Sequence, residues 1–100
     1  MHLNDAFGRN KSLESVCFHH EQAAAMAAES YYRLTNRLAV LNVTTGPGGI
    51  NALNGVYGAF VDSLGMLVIS GQVKKDTYRN NYPIPFRQLG DQEVDIISMA

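Results

Sequence analysis

Three stretches of this sequence hold side chains that could do chemistry: residues 17–21, 44–51 and 86–93. In the first, Cys17, His19, His20 and Glu21 crowd together. Cys17 and His19 share one face of a strand, but His20 points to the other. The remaining histidine, His2, brings no cysteine with it for the second ligand pair that structural zinc requires. Metal ligation is rejected here, and a buried strand-end histidine satisfied by backbone is expected instead. Glu21 falls where a strand hands over to an alanine-rich helix, at the C-terminal edge of a sheet. Ligands of open α/β sheets gather at that edge. By position alone, Glu21 reads as a helix N-terminal acid favoured by the dipole.

The second stretch, Thr44-Thr45-Gly46-Pro47-Gly48-Gly49, lies between a strand and a helix, where phosphate-cradling loops usually sit. No Lys-Ser or Lys-Thr pair follows, so it is not a Walker loop. Asn51 takes the last glycine position of a dinucleotide fingerprint, and Pro47 removes a backbone donor. Spacing alone makes it a tight strand-to-helix turn. Tyr31 and Tyr32 are assigned to packing.

The elements that must position these residues follow from periodicity. Residues 2–7 read as a short helix ended by Gly8 and Asn10, and residues 13–19 as a strand. Residues 21–34 are helical through the propensity of their alanines, with Asn36 as the stop. Residues 38–43 are an apolar run suited to a strand buried on both faces. Ile50, Leu53, Val56, Tyr57, Phe60, Val61 and Leu64 recur at helical spacing, and Gly65 ends that helix. Gly55 and Gly58 within it imply close backbone approach. Residues 66–70 form a further buried strand, and residues 93–99 a final helix. Between them, residues 72–91 are polar, carry Pro83 and Pro85, and show no clear periodicity. A connection that long inside a domain is usually functional or a partner contact. Buried strands alternating with helices give an α/β layer.

The chain of 100 residues suits at most one small domain. Its charged fraction of 17% is low for a small free-standing domain, and the apolar and small residues suggest surfaces covered by further chain or another subunit. Lys and Arg are scattered, so no nucleic-acid stripe or lipid-binding surface forms. No apolar run approaches the roughly 20 residues of a membrane span. A single cysteine excludes an internal disulfide and fits a reducing compartment. With no signal-peptide core at the start, a soluble cytoplasmic protein is expected.

Taken together, the motifs resemble one family. His20-Glu21-Gln22-Ala23-Ala24-Ala25-Met26-Ala27 with Tyr31, Arg33 and Thr35 comes first. Val43-Thr44-Thr45-Gly46-Pro47-Gly48-Gly49-Ile50-Asn51 follows, then Gly55-Val56, Asp62-Ser63 and Ile69-Ser70-Gly71-Gln72-Val73. This series, over residues 15–73, resembles the pyrimidine-binding domain of thiamine-diphosphate-dependent enzymes of the acetolactate synthase kind. The resemblance implies a flavodoxin-like three-layer α/β fold, a parallel sheet with helices on both faces. Residues 1–100 would be part of that domain, without its N-terminal strand and without the diphosphate-binding domain that holds Mg2+.

The resemblance also implies roles. Glu21 would be the catalytic carboxylate that hydrogen-bonds a ring nitrogen of the cofactor's aminopyrimidine. That role suits a carboxyl whose burial offsets the helix dipole, so that it can share a proton. Gly46, Pro47, Gly48 and Asn51 would line the thiamine diphosphate. Gln92 would reach the substrate, with Phe86-Arg87-Gln88 as the alternative anchor, since Asp91 precedes Gln92 where the family has Phe. FAD is compatible with the resemblance and indicated by no residue. The implied reaction is decarboxylation of a 2-keto acid such as pyruvate and addition to a carbonyl acceptor, in a homodimer or homotetramer. The isolated segment would be inactive. A different class of reading, a non-catalytic assembly module with the same fold, rests on the small-residue helix faces. Three departures stand out: Gly65 in place of a proline, Tyr32 in place of a small residue, and the tract 78–91. That tract is more similar to family members of sugar and surface-polysaccharide pathways, some of which attach a two-carbon unit to a keto sugar.

Overall fold

The computed structural model describes residues 2–100. Helix α1 (His2–Arg9) is held on its exposed side by an Arg9–Asp5 ion pair one turn apart. Helix α2 (Glu21–Thr35) starts at His20 and stops at Asn36, whose left-handed φ of 53° returns its N–H to the Tyr32 carbonyl. Asparagine tolerates that conformation better than most residues, so the expected stop is where the chain turns. Strand β1 (Ala39–Val43), helix α3 (Pro47–Val61) and strand β2 (Met66–Ser70) then form a βαβ unit. The two strands are parallel, in a register running from Ala39 opposite Met66 to Val43 opposite Ser70.

The layers follow from the alternation of β1. Leu41 and Val43 are buried against Ala25 of α2 and Ala52 of α3. Asn42 points to the opposite face, where its Nδ2 donates to Asn4 Oδ1 of α1 at 2.7 Å. Helices α2 and α3 therefore cover one face of the strand pair, and on the other face the Asn42–Asn4 hydrogen bond ties α1, which buries no residue, to the sheet. The α2–α3 contact is made of small residues. A Cβ at Gly55 would stand 2.6 Å from the Ala25 Cβ and 2.9 Å from the Met26 nitrogen, so the two backbones meet there. Arg33 of α2 ties the far end together by pairing with Glu29 at 2.6 Å and with Asp62 beyond α3.

Several expectations are corrected. Residues 13–19 form no strand: they run without ladder hydrogen bonds, with Val16 67% and Phe18 45% exposed. Extended residues become a strand only when a neighbour accepts their backbone groups, and no described segment does so. Helix α3 begins at Pro47 rather than residue 50, because proline suits the first helical position, where its missing N–H has no partner to lose. The same helix ends before Leu64. Ser63, with φ 56°, closes it by donating to the Phe60 carbonyl at 3.1 Å, while Leu64 donates to Ala59 at 2.8 Å. That pair of bonds is a Schellman motif, and Gly65 lies beyond the stop. The final helix shrinks to α4 (Ile96–Met99), capped by Asp95, whose Oδ1 accepts from the Ser98 N–H at 3.2 Å. Within the polar tract, Lys75–Thr77 and Arg79–Asn81 form short 3₁₀ turns.

Candidate functional site

The start of α2 and the start of α3 meet at the C-terminal edge of the sheet. Glu21 is the first residue of α2. His20 precedes it in extended conformation and turns its Nδ1 onto the Gln22 N–H at 3.2 Å, so His20 is the helix cap. His20 is exposed, which corrects the expected buried strand-end histidine: with no strand before it, nothing covers the ring. Cys17 and His19 are exposed as well, and no group of three His, Cys, Asp or Glu able to hold a metal ion gathers among the described residues.

Glu21 is half-buried, and its Oε2 accepts from Asn51 Nδ2 of α3 at 3.1 Å. Asn51 lies on the second turn of α3, close behind Gly48. A Cβ at Gly48 would stand 3.4 Å from Glu21 Oε1 and 2.7 Å from Thr44 Cγ2. The glycine therefore lets helix α3 close on Thr44 and the carboxylate, with no room for a side chain between them. The Asn51 hydrogen bond, with the residue's own N–H and His20 helping, holds the Glu21 carboxyl below the usual carboxylate range, against the opposing effect of burial. Burial does not offset the N-terminal environment as the sequence reading required. The carboxyl is too open to water, and a donor stands on it.

The remaining candidates arrive at the same turn from the C-terminal side. Gly46 caps α3 with φ 62°, and a Cβ there would stand 2.1 Å from the Gln92 carbonyl oxygen. Gln92 itself has φ 55°, so this backbone contact sets both residues in left-handed conformation. Gln92 thus reaches the Gly-Pro-Gly turn through its main chain, and its side chain is exposed. Pro47 is exposed on the rim. A cleft of about 280 Å³ opens at the strand ends between Leu3, Asn42, Thr44, Ser70 and Gln72, and Glu21 is not among its lining residues.

Two residues to which the motifs gave no role organise this corner. Gln72 accepts from the Thr45 hydroxyl at 3.1 Å and donates to the Val94 carbonyl at 2.8 Å, bridging the turn and the C-terminal segment. Glu93 accepts from the Arg79 N–H at 2.9 Å and the Gly90 N–H at 3.1 Å. Burial pushes the Glu93 carboxyl up, and the amides of Arg79, Gly90 and Leu89 more than reverse this, leaving it below the usual range. The motif Ile69-Ser70-Gly71-Gln72-Val73 was the available signal for Gln72. Glu93 gave none, because its partners are 14 and 3 residues away.

Comparison with known proteins decides the family. The family described as "Thiamine pyrophosphate enzyme, N-terminal TPP binding domain" matches residues 1–99. The chain belongs to this family. Its relatives include the acetolactate synthase large subunit of Buchnera aphidicola subsp. Schizaphis graminum, 44% identical over 71 residues, or 71% of this chain and 12% of that protein. Acetolactate synthase isozyme 3 large subunit of Escherichia coli (strain K12) is 39% identical over 71 residues, again 71% of this chain and 12% of the relative. The chloroplastic acetolactate synthase of Arabidopsis thaliana is 35% identical over 75 residues, 75% of this chain and 11% of the relative. The chain spans about an eighth of the length of such relatives: 12%. No helix among the described residues is long and apolar enough to cross a membrane.

The family's cofactor is thiamine diphosphate, and the corner fits one edge of it. A carboxylate with one oxygen held by an amide and the other without a side-chain donor suits a nitrogen-rich heteroaromatic ring. The described residues do not fit the magnesium that would accompany a diphosphate, since they gather no acidic ligand set.

Proposed function

We propose that this chain is the pyrimidine-binding part of a thiamine-diphosphate-dependent carboligase or decarboxylase that acts on a 2-keto acid such as pyruvate. One observation carries the reading: in a member of this family, Glu21, Gly48 and Asn51 converge at one polar corner from two helix starts. When bound, the cofactor supplies the carbanion chemistry that cleaves the keto acid and passes on the remaining carbon unit. The chain's own residues do the rest at this corner. Glu21 offers a carboxylate oxygen to a ring nitrogen of the aminopyrimidine and exchanges a proton with it. Gly48 lets the helix backbone come up to Glu21, and Gly46 and Pro47 shape the wall beside it. Gln92, anchored by its backbone on Gly46, extends toward the substrate.

The acceptor reading is a keto sugar, and it rests on the sequence of the tract 78–91, which is more similar to sugar-pathway members of the family. Magnesium and the diphosphate belong to a domain outside these residues. A homodimer or homotetramer is the assembly proposed, and the exposed area leaves surface for further chain or a second subunit to cover. The described residues expose 7589 Å², against roughly 5,600 Å² for a compact monomer of this mass. Much of the excess is apolar: Leu34 is 86%, Phe60 78% and Tyr57 69% exposed. The exposed free thiol of Cys17 fits the cytoplasm.

The deciding experiment replaces Glu21→Gln in the complete polypeptide and follows carbon dioxide release from pyruvate. Loss of about a hundredfold or more in turnover, with an unchanged circular dichroism spectrum, is expected for a proton-exchanging group. Full turnover in that variant would overturn the assignment. Measured turnover by residues 1–100 alone would contradict it equally. A screen of keto-sugar acceptors with pyruvate as donor tests the finer reading.

A further inference from the structure

The two oxygens of Glu21 have different surroundings. Oε2 accepts from Asn51 Nδ2 at 3.1 Å in a half-buried contact between α2 and α3. Oε1 faces the position where Gly48 lacks a Cβ, and no side chain among the described residues donates to it. Resting on the functional reading above, we propose that Asn51 is a positioning residue. It anchors Oε2 so that Oε1 is the oxygen presented to the cofactor ring, rather than lining the cofactor itself.

The placement of Asn51 suits this. It stands three positions after Gly48 on α3, so the donor and the glycine that packs on Glu21 lie on the same helix face, one above the other. The close α2–α3 approach at Gly55 and Ala25 fixes the distance between the helices that carry the two partners. A carboxylate held at one oxygen loses rotamer freedom before the ligand arrives, which reduces the ordering cost of binding. The hydrogen bond also favours the ionised carboxyl, so Glu21 releases a proton to a ring nitrogen more readily. His20 is the titratable neighbour that acts on Glu21 from its own element; α3 faces it with the uncharged Asn51 and Gly48.

The test uses the complete polypeptide with Asn51→Leu, which removes the donor at similar size, and Asn51→Asp, which keeps the shape and reverses the interaction. Carbon-13 NMR of labelled glutamate, compared with Glu21→Gln for assignment, follows the Glu21 carboxyl without cofactor. The expected result is a graded upward shift of its titration, smallest in the parent protein and largest in Asn51→Asp. With cofactor and pyruvate, Asn51→Leu should lose about tenfold in kcat, the size of one hydrogen bond to a charged group, with little change in KM. The acid limb of its pH–rate profile should move up with the carboxyl. An inactive Glu21→Gln beside unshifted titration and unshifted pH profiles in both Asn51 variants overturns the inference alone. Full turnover in Glu21→Gln overturns the functional reading, and with it the catalytic role given to Asn51. If Asn51→Leu does not fold, the same-shaped Asn51→Asp decides by its titration.

Discussion

Residues 21–70 and residues 72–95 reach the same turn by different physics. The first region is built from regular elements whose contacts are made by what is missing: alanines and glycines bring α2 and α3 together until their backbones touch. Its position is set by close packing, with the Arg33–Asp62 pair and the Asn51–Glu21 hydrogen bond as polar ties at its two ends. The second region has almost no regular structure. It is held by polar groups acting over short range: the Glu93 carboxylate on two amides, the Gln72 side chain on Thr45 and Val94, and the Gln92 carbonyl against Gly46. The first region can thus supply a rigid Glu21, and the second an adjustable wall. In proteins generally, the elements that move on binding are drawn from the less stable parts of the structure.

The largest effect should come from filling the packed region. Gly55→Val would place side-chain carbon within 2.6 Å of Ala25 and 2.9 Å of the Met26 backbone nitrogen, where no flexible chain end can give way. The helices must separate. Destabilisation of at least ~1–3 kcal/mol is expected from overpacking, measured by chemical denaturation of the complete polypeptide. Since Glu21 and Asn51 sit on the two separated helices, their hydrogen bond should lengthen and turnover fall as well. Unchanged stability in Gly55→Val would remove the distinction between the two regions.

The two regions also differ in how much the sequence disclosed. In residues 21–70 the signals are local. An alanine run makes α2, Asn36 stops it, and apolar runs make β1 and β2 within a residue of their observed ends. The Gly-Pro-Gly turn could be placed at the sheet edge because it joins a strand to a helix, whereas Glu21 reaches that edge without the strand expected before it. The Asn51–Glu21 contact was not legible, since the partners are 30 residues apart and nothing local pairs them. Residues 13–19 alternate like a strand, but alternation does not supply a ladder partner. In residues 72–95 the stabilising groups are single carboxylates and amides without periodicity, so pattern reading had nothing to follow.

A smaller effect separates the regions by pH. Glu93 is ionised below its ordinary range, so its hold on the Arg79 and Gly90 amides is present above the ordinary carboxylate value and lost as pH falls through the depressed one. Hydrogen exchange corrected for intrinsic rates should show those two amides losing protection on acidification, while the α2–α3 amides around Gly55 keep theirs. In Glu93→Ala the same amides should be unprotected across the whole range. Equal protection of Arg79 in the variant and the parent protein would show that the tract is held by something other than this carboxylate.

The smallest effect sharpens the packed region at its far end, where two departures from the family pattern touch. A Cβ at Gly65 would stand 2.7 Å from Tyr32 Cε2 and 2.8 Å from Leu38 Cδ2. Gly65 is not among the residues with positive φ, so its backbone does not demand glycine. Its neighbours do. Its N–H makes no backbone hydrogen bond among the described residues outside the regular elements, so proline would break no ladder there. The bulky Tyr32 therefore fills the space that a side chain at position 65 would need. Gly65→Pro alone should destabilise by about 1–2 kcal/mol through overpacking, and Tyr32→Ala alone should leave a shallow, half-exposed gap. Combined, the two substitutions restore the small-residue and proline pairing, and their double-mutant cycle should return a favourable coupling of about 1 kcal/mol. Strict additivity would mean that the ring moves aside freely, and that close packing ends before it reaches Tyr32.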